Sequence, residues 1–159
     1  MPDTSAVRIR PASAADRDWI LRLAPRLHDF GPPPYRTREV MDRAVVASID
    51  EALSGARPDA TVLVAAGASG GLLGFIHLHG AKDFFTGEPH GHVSDIVVAP
   101  EAEGRGVGQA LMAAAEAWAS SLGYRLLSLH VFDGNARARA FYRQLGYGAD
   151  IVKLIKTLH

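Results

Sequence analysis

The stretch Val93–Leu111, VSDIVVAPEAEGRGVGQAL, decides the fold of this chain, because an apolar segment leads through a glycine-rich turn into an amphipathic segment. Residues 96–98 are consecutive β-branched side chains, as in a buried strand, and Pro100 ends that strand. Apolar residues then recur at helical spacing from Leu111 to Leu122, which predicts a helix packed on the sheet. The sequence therefore predicts a strand, a turn and a helix in direct succession.

Glycines occupy alternate positions of the turn, at 104, 106 and 108. Without Cβ atoms the backbone can approach a ligand closely, and the next helix offers free N–H groups at its positive end. A Walker loop is excluded, because no Gly-Lys-Ser/Thr follows. A dinucleotide fingerprint is disfavoured, because residues 99–103 separate strand from glycines and the next strand-end acid, Asp133, comes too late. The turn predicts a phosphate-type ligand, with an ordinary strand-to-helix turn as the alternative.

A second motif lies between Asp133 and Tyr147. Asn135 and Tyr142 are two helical turns apart, so they share one face of a helix predicted from about Asn135 to Leu145, with Gly146 as its C-cap. Taken alone, this pattern favours a helix cap at Asn135 and a packed tyrosine.

Together, the two motifs resemble those of the GNAT superfamily of N-acetyltransferases, whose pyrophosphate loop, Arg/Gln-x-x-Gly-x-Gly/Ala, corresponds to Glu103–Gly108. Glu103 departs from that pattern. The resemblance implies direct transfer of an acetyl group from acetyl-CoA to a primary amine of a small molecule or peptide, without a metal. The residues that it implies for binding acetyl-CoA are Ile96, Val97, Val98, Glu103, Gly104, Arg105, Gly106, Val107, Gly108, Gln109, Asn135 and Tyr142.

The same resemblance implies roles for individual groups. Asn135 contacts the pantetheine arm, and Tyr142 protonates the leaving thiolate. A strand N–H near Val97 or Val98 stabilises the developing oxyanion, because the strand diverges from its neighbour in this family.

The sequence indicates less clearly which residue accepts the proton of the amine. Polyamine-acetylating relatives carry Glu-Asp where this chain has Ser94-Asp95, so their base is absent. By the period of two, His92 and Ser94 share one face of the strand and Asp95 lies on the other. His92, with an ordinary pKa of about 6.5, is then the expected base, and a structural, hydrogen-bonded histidine is the alternative. The residues expected to line the acceptor pocket are Phe30, Tyr35, Arg36 and Ser94.

Composition limits the other classes of function. The 159 residues are 48% apolar, with formal net charge zero and no cysteine. A single domain of residues 1–159 can bury a hydrophobic core large enough for it to fold. The absence of cysteine excludes disulfides, thiolate zinc sites and cysteine nucleophiles. The lack of a basic run predicts neither nucleic acid nor membrane as a partner. With no export signal and no apolar run near ~20 residues, a cytoplasmic protein is expected. A homodimer is compatible with this assignment.

The order of predicted elements is that of an α+β fold, with a mixed, mostly antiparallel central sheet flanked by helices. It is also the GNAT order. Pro25 should interrupt the first helix, and Thr37 should cap the second. The predicted strands outside the organising stretch are Val7–Arg10, Thr61–Ala66, Leu72–His79, Leu126–Val131 and Ile151–Leu158.

Two other hypotheses are compatible with the sequence. The pairs His77-x-His79 and His90-x-His92 each place two rings on one strand face and could hold zinc with Asp83 or Glu88, as in a metal-binding protein or hydrolase. A non-catalytic acyl-CoA-binding module of the same fold is the other hypothesis, and the departures at Ser94 and Glu103 favour it.

Overall fold

The structure is a computed structural model that describes residues 6–159. Its strands are β1 (Arg8–Pro11), β2 (Ala60–Ala66), β3 (Leu72–Lys82), β4 (Pro89–Val98) and β5 (Leu127–Leu129). Its helices are α1 (Arg17–Leu23), α2 (Arg38–Leu53), α3 (Val107–Ser121) and α4 (Ala136–Gln144).

The strands form a single sheet in the order β1-β2-β3-β4-β5. Strands β1 to β4 pair antiparallel, and β5 pairs parallel to β4. Helices α1 and α2 cover one face, with a core that includes Ile20, Ile49, Val64, Phe75 and Val97. Helix α3 covers the other face, with a core that includes Leu78, Val93, Leu111, Met112 and Ala115. The predicted α+β fold with a mixed, mostly antiparallel sheet is confirmed.

Local sequence signals set the helix boundaries. Thr37 caps α2, because its Oγ1 accepts a hydrogen bond from the Val40 amide at 3.3 Å. Helix α1 ends at Leu23, two residues before Pro25, and the chain continues as a 3₁₀ turn, Ala24–His28. Both features match the sequence predictions.

Two glycines in the sheet allow α3 to lie close against it. A Cβ on Gly74 would lie 3.3 Å from the Val107 and Leu111 side chains of α3, besides 2.7 Å from the carbonyl oxygen of Val97. A Cβ on Gly91 would lie 2.9 Å from the Trp118 ring of α3. Because neither space admits a side chain, these positions fix the height of α3 above β3 and β4.

Strands β4 and β5 pair only at Gly91–Val93 with Leu127–Leu129. Strand β4 then continues to Val98 without β5 beside it. The divergence leaves one edge of β4 open next to the glycine turn, as the family resemblance implied.

Two strand predictions fail in the single chain. The segment predicted as a strand at Leu126–Val131 is paired only at Leu127–Leu129. The segment Ile151–Leu158, predicted as the last strand, has no strand or helix and is exposed. Its apolar pattern favours a strand, but a strand forms only where a neighbour accepts its backbone hydrogen bonds, and the sheet of this chain ends at β5.

Candidate active site

A one-residue bulge in β4 determines which side chains meet at the site. His77 of β3 pairs with Asp95, but the next residue, Leu78, pairs with Val93, so Ser94 is an extra residue in β4. Since a bulge reverses the alternation of faces, the prediction that Asp95 lies opposite His92 is wrong. Asp95 and His92 lie on the same face of the sheet as His77 and His79, their pairing partners in β3.

The open edge of β4 presents backbone donors. The Ala99 amide donates to Leu73 at 2.8 Å, and Val97 pairs with Phe75, so these residues direct their backbone groups toward β3. The alternate residues, Ile96 and Val98, therefore direct theirs toward the gap. The Val98 carbonyl there accepts a hydrogen bond from Arg26 Nε at 2.9 Å. The available N–H groups thus belong to Ile96 and Val98 rather than to Val97.

The three glycines of the turn have different roles. Gly104 and Gly106 have φ values of 73° and 78°, in the left-handed region that glycine favours, and Gly106 immediately precedes α3. A Cβ on Gly108 would instead lie 3.2 Å from the Phe141 ring, so Gly108 serves the packing of α4. Since Phe141 precedes Tyr142, this contact holds α4 against the first turn of α3.

Glu103 forms ion pairs at the start of the turn. Its carboxylate pairs with Arg26 and lies 3.3 Å from Arg137 Nη1. Arg26 comes from the turn after α1 and Arg137 from α4, so Glu103 ties both elements to the glycine turn. The two guanidinium groups offset the negative charge that this carboxylate brings near a bound anion. Arg105 and Gln109 are exposed at the same turn.

Asn135 and Tyr142 occupy the two ends of one helix face, as predicted. The Asn135 Oδ1 accepts a hydrogen bond from the Ala138 amide at 3.2 Å, so it caps α4 and leaves its amide nitrogen available. Burial, with a smaller contribution from Asp95, raises the pKa of Tyr142 to about 12. Within residues 6–159, no side-chain hydrogen bond engages the Tyr142 hydroxyl.

Four imidazoles form a row beside the bulge. Ring centroids of His77 and His79 lie 5.9 Å apart, those of His79 and His92 5.1 Å, and those of His92 and His130 4.9 Å. Nδ1 of His77 lies 2.8 Å from Asp95 at one end of this histidine row. The His77 Nε2 is buried without a hydrogen-bond partner among the described residues.

His92 is held within the row by Ser128, whose Oγ lies 2.8 Å from the His92 Nδ1. Burial, together with the smaller effects of the neighbouring imidazoles His130, His79 and His90, lowers the pKa of His92 to about 4, whereas Asp95 opposes the shift. The ring is therefore neutral at pH 7, and its pKa lies below the value of about 6.5 expected from sequence.

The residues predicted for the acceptor pocket make different contacts in the structure. Phe30 packs on Phe132, with ring centroids 5.3 Å apart, in the segment that leads to α4. The Arg36 guanidinium lies 4.8 Å from the Tyr35 ring centroid. Apart from this contact with each other, neither Tyr35 nor Arg36 makes a side-chain hydrogen bond or ring contact with a further predicted site residue among those described. Ser94 is the bulged residue itself.

Two absences bear on other classes of function. Over residues 6–159, no group of three or more histidine, aspartate or glutamate side chains could hold a metal ion. All four histidines of the two pairs in the zinc hypothesis lie on one face of the sheet. In the same part of the chain, no helix has the length and apolar character needed to cross a membrane.

Sequence reasoning missed three charged residues of this site. Asp95 was placed on the wrong face, because a bulge has no sequence signal in a strand of ordinary composition. Arg26 and Arg137 are distant in sequence from Glu103 and meet it only through the fold. The available signal was Glu103 itself, which stands where the family pattern has Arg or Gln. An acidic residue there indicates that arginines from other parts of the chain supply the positive charge.

Comparison with known proteins agrees with this geometry. A sequence profile of the acetyltransferase (GNAT) family matches residues 24–147. The chain is 32% identical over 92 residues to an aminoglycoside N(6')-acetyltransferase type 1 of Stenotrophomonas maltophilia, covering 56% of this chain and 60% of that protein. It is 28% identical over 146 residues to an uncharacterised N-acetyltransferase, YhfO, of Bacillus subtilis strain 168, covering 91% of each.

Solved structures show the same architecture. A structure from Pyrococcus furiosus, named as that of an acetyl transferase, matches with a TM-score of 0.76 and 25% identity over 96% of this chain and 99% of that one. A GCN5-related N-acetyltransferase of Ralstonia eutropha JMP134 matches with a TM-score of 0.75 and 20% identity, covering 96% and 98%. The second likeness concerns the fold alone.

Proposed function

The chain belongs to the acetyltransferase (GNAT) family, and from that premise we propose that it transfers an acetyl group from acetyl-CoA directly to a primary amine of a small molecule. The family prediction made from the two motifs is confirmed. The observation that carries the proposal is the left-handed glycine turn at the start of α3, placed beside the open edge of β4 and against the helix that bears Tyr142.

The residues present fit the donor. Free N–H groups in the first turn of α3, together with those of the glycine turn, would hold the pyrophosphate. Ion pairs with Glu103 hold Arg26 and Arg137 at the same turn. The Asn135 amide nitrogen and the edge of β4 would hold the pantetheine arm. When bound, acetyl-CoA supplies a thioester carbonyl and a thiolate leaving group.

Backbone and side-chain donors of this chain would then assist the transfer. The N–H group of Ile96 or of Val98 donates to the carbonyl oxygen, where negative charge develops. The hydroxyl of Tyr142 donates its proton to the departing sulfur, and its raised pKa keeps the phenol protonated at neutral pH. Nothing in this sequence of roles requires a metal or a covalent bond to the protein.

The base is proposed to be His92. Its lowered pKa leaves the imidazole neutral at pH 7, and Asp95 on the same face stabilises the ring once it has taken a proton. A free alkyl amine with a pKa of about 10.4 is less than about one part in a thousand neutral at pH 7. The site must therefore also lower the pKa of the amine, and desolvation of a bound ammonium has that effect.

The acceptor is proposed to be a small molecule with a primary amine. The partial match to an aminoglycoside N(6')-acetyltransferase supports amino sugars as the first acceptors to test. A cytoplasmic location is a further proposal and rests on the sequence alone.

The proposal is tested by a panel assay with acetyl-CoA and aminoglycosides, polyamines, amino sugars and peptides with free α-amines. Because the chain has no cysteine, a thiol reagent detects only the CoA that is released. Thiol release with at least one amine supports the proposal. Binding of acetyl-CoA by calorimetry without release for any amine favours the non-catalytic binding module, and absence of binding overturns both.

A further inference from the structure

Arg26 lies against the open edge of β4. Its Nε donates to the Val98 carbonyl at 2.9 Å, and Val98 belongs to the part of β4 that has no β5 beside it. The other guanidinium nitrogens are engaged as well, because Nη1 lies 3.1 Å from Asp29 and Nη2 pairs with Glu103. One side chain thus joins the strand edge, the turn after α1 and the glycine turn.

Neighbouring groups hold the Arg26 guanidinium in this position. Its partner Asp29 also accepts a hydrogen bond from Arg38 at 2.5 Å, and the same Arg38 nitrogen donates to the Pro25 carbonyl at 2.8 Å. The Arg26 side chain is only 25% exposed, so its charge-assisted hydrogen bonds are less screened than those of a surface arginine. Arg26 is therefore a fixed part of the wall of the site.

The carbonyl that Arg26 occupies is one that a bound donor needs. The pantetheine arm of acetyl-CoA contains peptide-like amides, whose N–H groups require acceptors once they leave water. An open strand edge supplies such acceptors, as it does for an added peptide strand. At this edge the backbone groups of Ile96 and Val98 face the gap, and the Val98 carbonyl is bonded to Arg26. The arm and the arginine therefore compete for one acceptor.

Phosphate offers Arg26 another partner at the same place. Glu103 stands at the start of the glycine turn, and its carboxylate pairs with both Arg26 and Arg137. A guanidinium group binds phosphate with the same forked geometry that it uses for a carboxylate. A phosphate held at the glycine turn would thus replace Glu103 on Arg26, and the guanidinium would leave the Val98 carbonyl as it turns toward that phosphate.

We propose that Arg26 makes the donor site selective for thioesters that carry phosphate, because it covers the Val98 carbonyl until phosphate draws it away. An acyl-pantetheine without phosphate has to displace Arg26 while offering its charge no new partner, so it binds poorly. The inference rests on the proposed acetyl-CoA site. It deepens that proposal by assigning donor specificity to a residue outside the glycine turn.

The test compares the binding of acetyl-CoA and acetyl-pantetheine by calorimetry, so it needs no acceptor. Arg26→Met keeps an unbranched apolar stem but removes the charge and every donor. Its affinity for acetyl-CoA should fall roughly 10-fold, because a phosphate loses its charged partner. Its affinity for acetyl-pantetheine should instead rise by roughly 3-fold or more, because the Val98 carbonyl is no longer covered.

Arg137→Met is the matched control. Arg137 Nη1 lies 3.3 Å from the same Glu103 carboxylate, whereas among the described residues only Arg26 donates a side-chain hydrogen bond to Val98. The control removes the same charge from the same carboxylate and leaves the strand edge covered. It should therefore weaken acetyl-CoA binding and leave the affinity for acetyl-pantetheine within about twofold of the wild type.

Changes of opposite sign exclude misfolding as their cause, since a misfolded variant would lose both donors. An acetyl-pantetheine affinity that is unchanged or lower in Arg26→Met overturns the inference, and so does an equal rise in Arg137→Met. A gain for both donors in Arg26→Met would show that Arg26 covers the edge without binding phosphate, which also overturns it. In each of these cases a wild type that binds acetyl-CoA leaves the proposed donor site standing, whereas a wild type that binds neither donor overturns both.

Discussion

Asp95 lies on the same face of the sheet as His92, because Ser94 is inserted into β4 between them. Its carboxylate lies 2.8 Å from Nδ1 of the buried His77, and its negative charge opposes the fall in the pKa of His92. The bulge therefore places an acid on the same face as the proposed base. In a regular strand, the Asp95 side chain would instead point into the core on the other face of the sheet.

The first prediction concerns this charge. Asp95→Asn keeps the size of the side chain and a hydrogen bond to His77 but removes the charge that stabilises protonated His92. Turnover should fall about 10-fold while affinity for acetyl-CoA stays within twofold, as steady-state kinetics and calorimetry would measure. Unchanged turnover would remove Asp95 from the mechanism.

The second prediction concerns stability against acid. The pKa of His92 is about 4 in the folded chain and about 6.5 in the unfolded chain. Between these pH values the unfolded chain therefore binds one more proton than the folded chain. Stability is then fully present above about pH 6.5 and is lost as pH falls to about 4, by on the order of 1–3 kcal/mol.

Urea unfolding from pH 7 to 4 measures this loss, and His92→Gln should reduce it. The pair Arg10–Asp16 contributes little to this loss, because Arg10 lowers the pKa of Asp16 from 3.8 to about 2 and its contribution is lost mainly between these two pH values. An identical loss in wild type and His92→Gln would show that His92 is not its source.

The features that the sequence predicted correctly depend on residues close together in the chain. The turn at Gly104–Gly108 and the helix from Asn135 to Tyr142 depend on neighbours within two helical turns, so their spacing carries the information. The face of Asp95 could not be predicted, because the bulge is set by how β3 and β4 pair. The pairing of Leu126–Val131 and Ile151–Leu158 likewise depends on which strand lies beside them.

The third prediction concerns Glu103. Glu103→Gln removes a carboxylate from the anion turn and frees the charge of Arg26 and Arg137, so acetyl-CoA should bind roughly 3-fold more tightly at low salt. Calorimetry at two ionic strengths should show this gain shrinking with added salt. Glu101→Gln, which removes the same charge from an exposed neighbour, is the control, and an equal gain there would refute a specific role for Glu103.

The fourth prediction concerns the left-handed glycine before α3. Gly106→Val places a β-branched residue at φ 78° and a side chain beside the N–H groups proposed to hold the pyrophosphate, so acetyl-CoA binding should be lost. Gly123→Val is the matched control, since Gly123 has φ 77° just beyond the other end of α3. Both variants should lower the melting temperature, but only the first should abolish the heat of binding. Retained binding in Gly106→Val would contradict the assignment of the turn.

The last prediction separates the proposed acid from its neighbour. Tyr142→Phe keeps the buried ring but removes the proton offered to the leaving sulfur, so turnover should fall by roughly 10²-fold with little change in acetyl-CoA affinity. Tyr147→Phe makes the same chemical change in a ring whose centroid lies 6.1 Å away and whose hydroxyl donates to Glu116. Because that hydroxyl serves packing between helices, its loss should lower the melting temperature and leave turnover within about threefold of wild type. Pre-steady-state release of CoA measures the difference directly, and a Tyr142→Phe enzyme as fast as Tyr147→Phe would exclude Tyr142 as the acid.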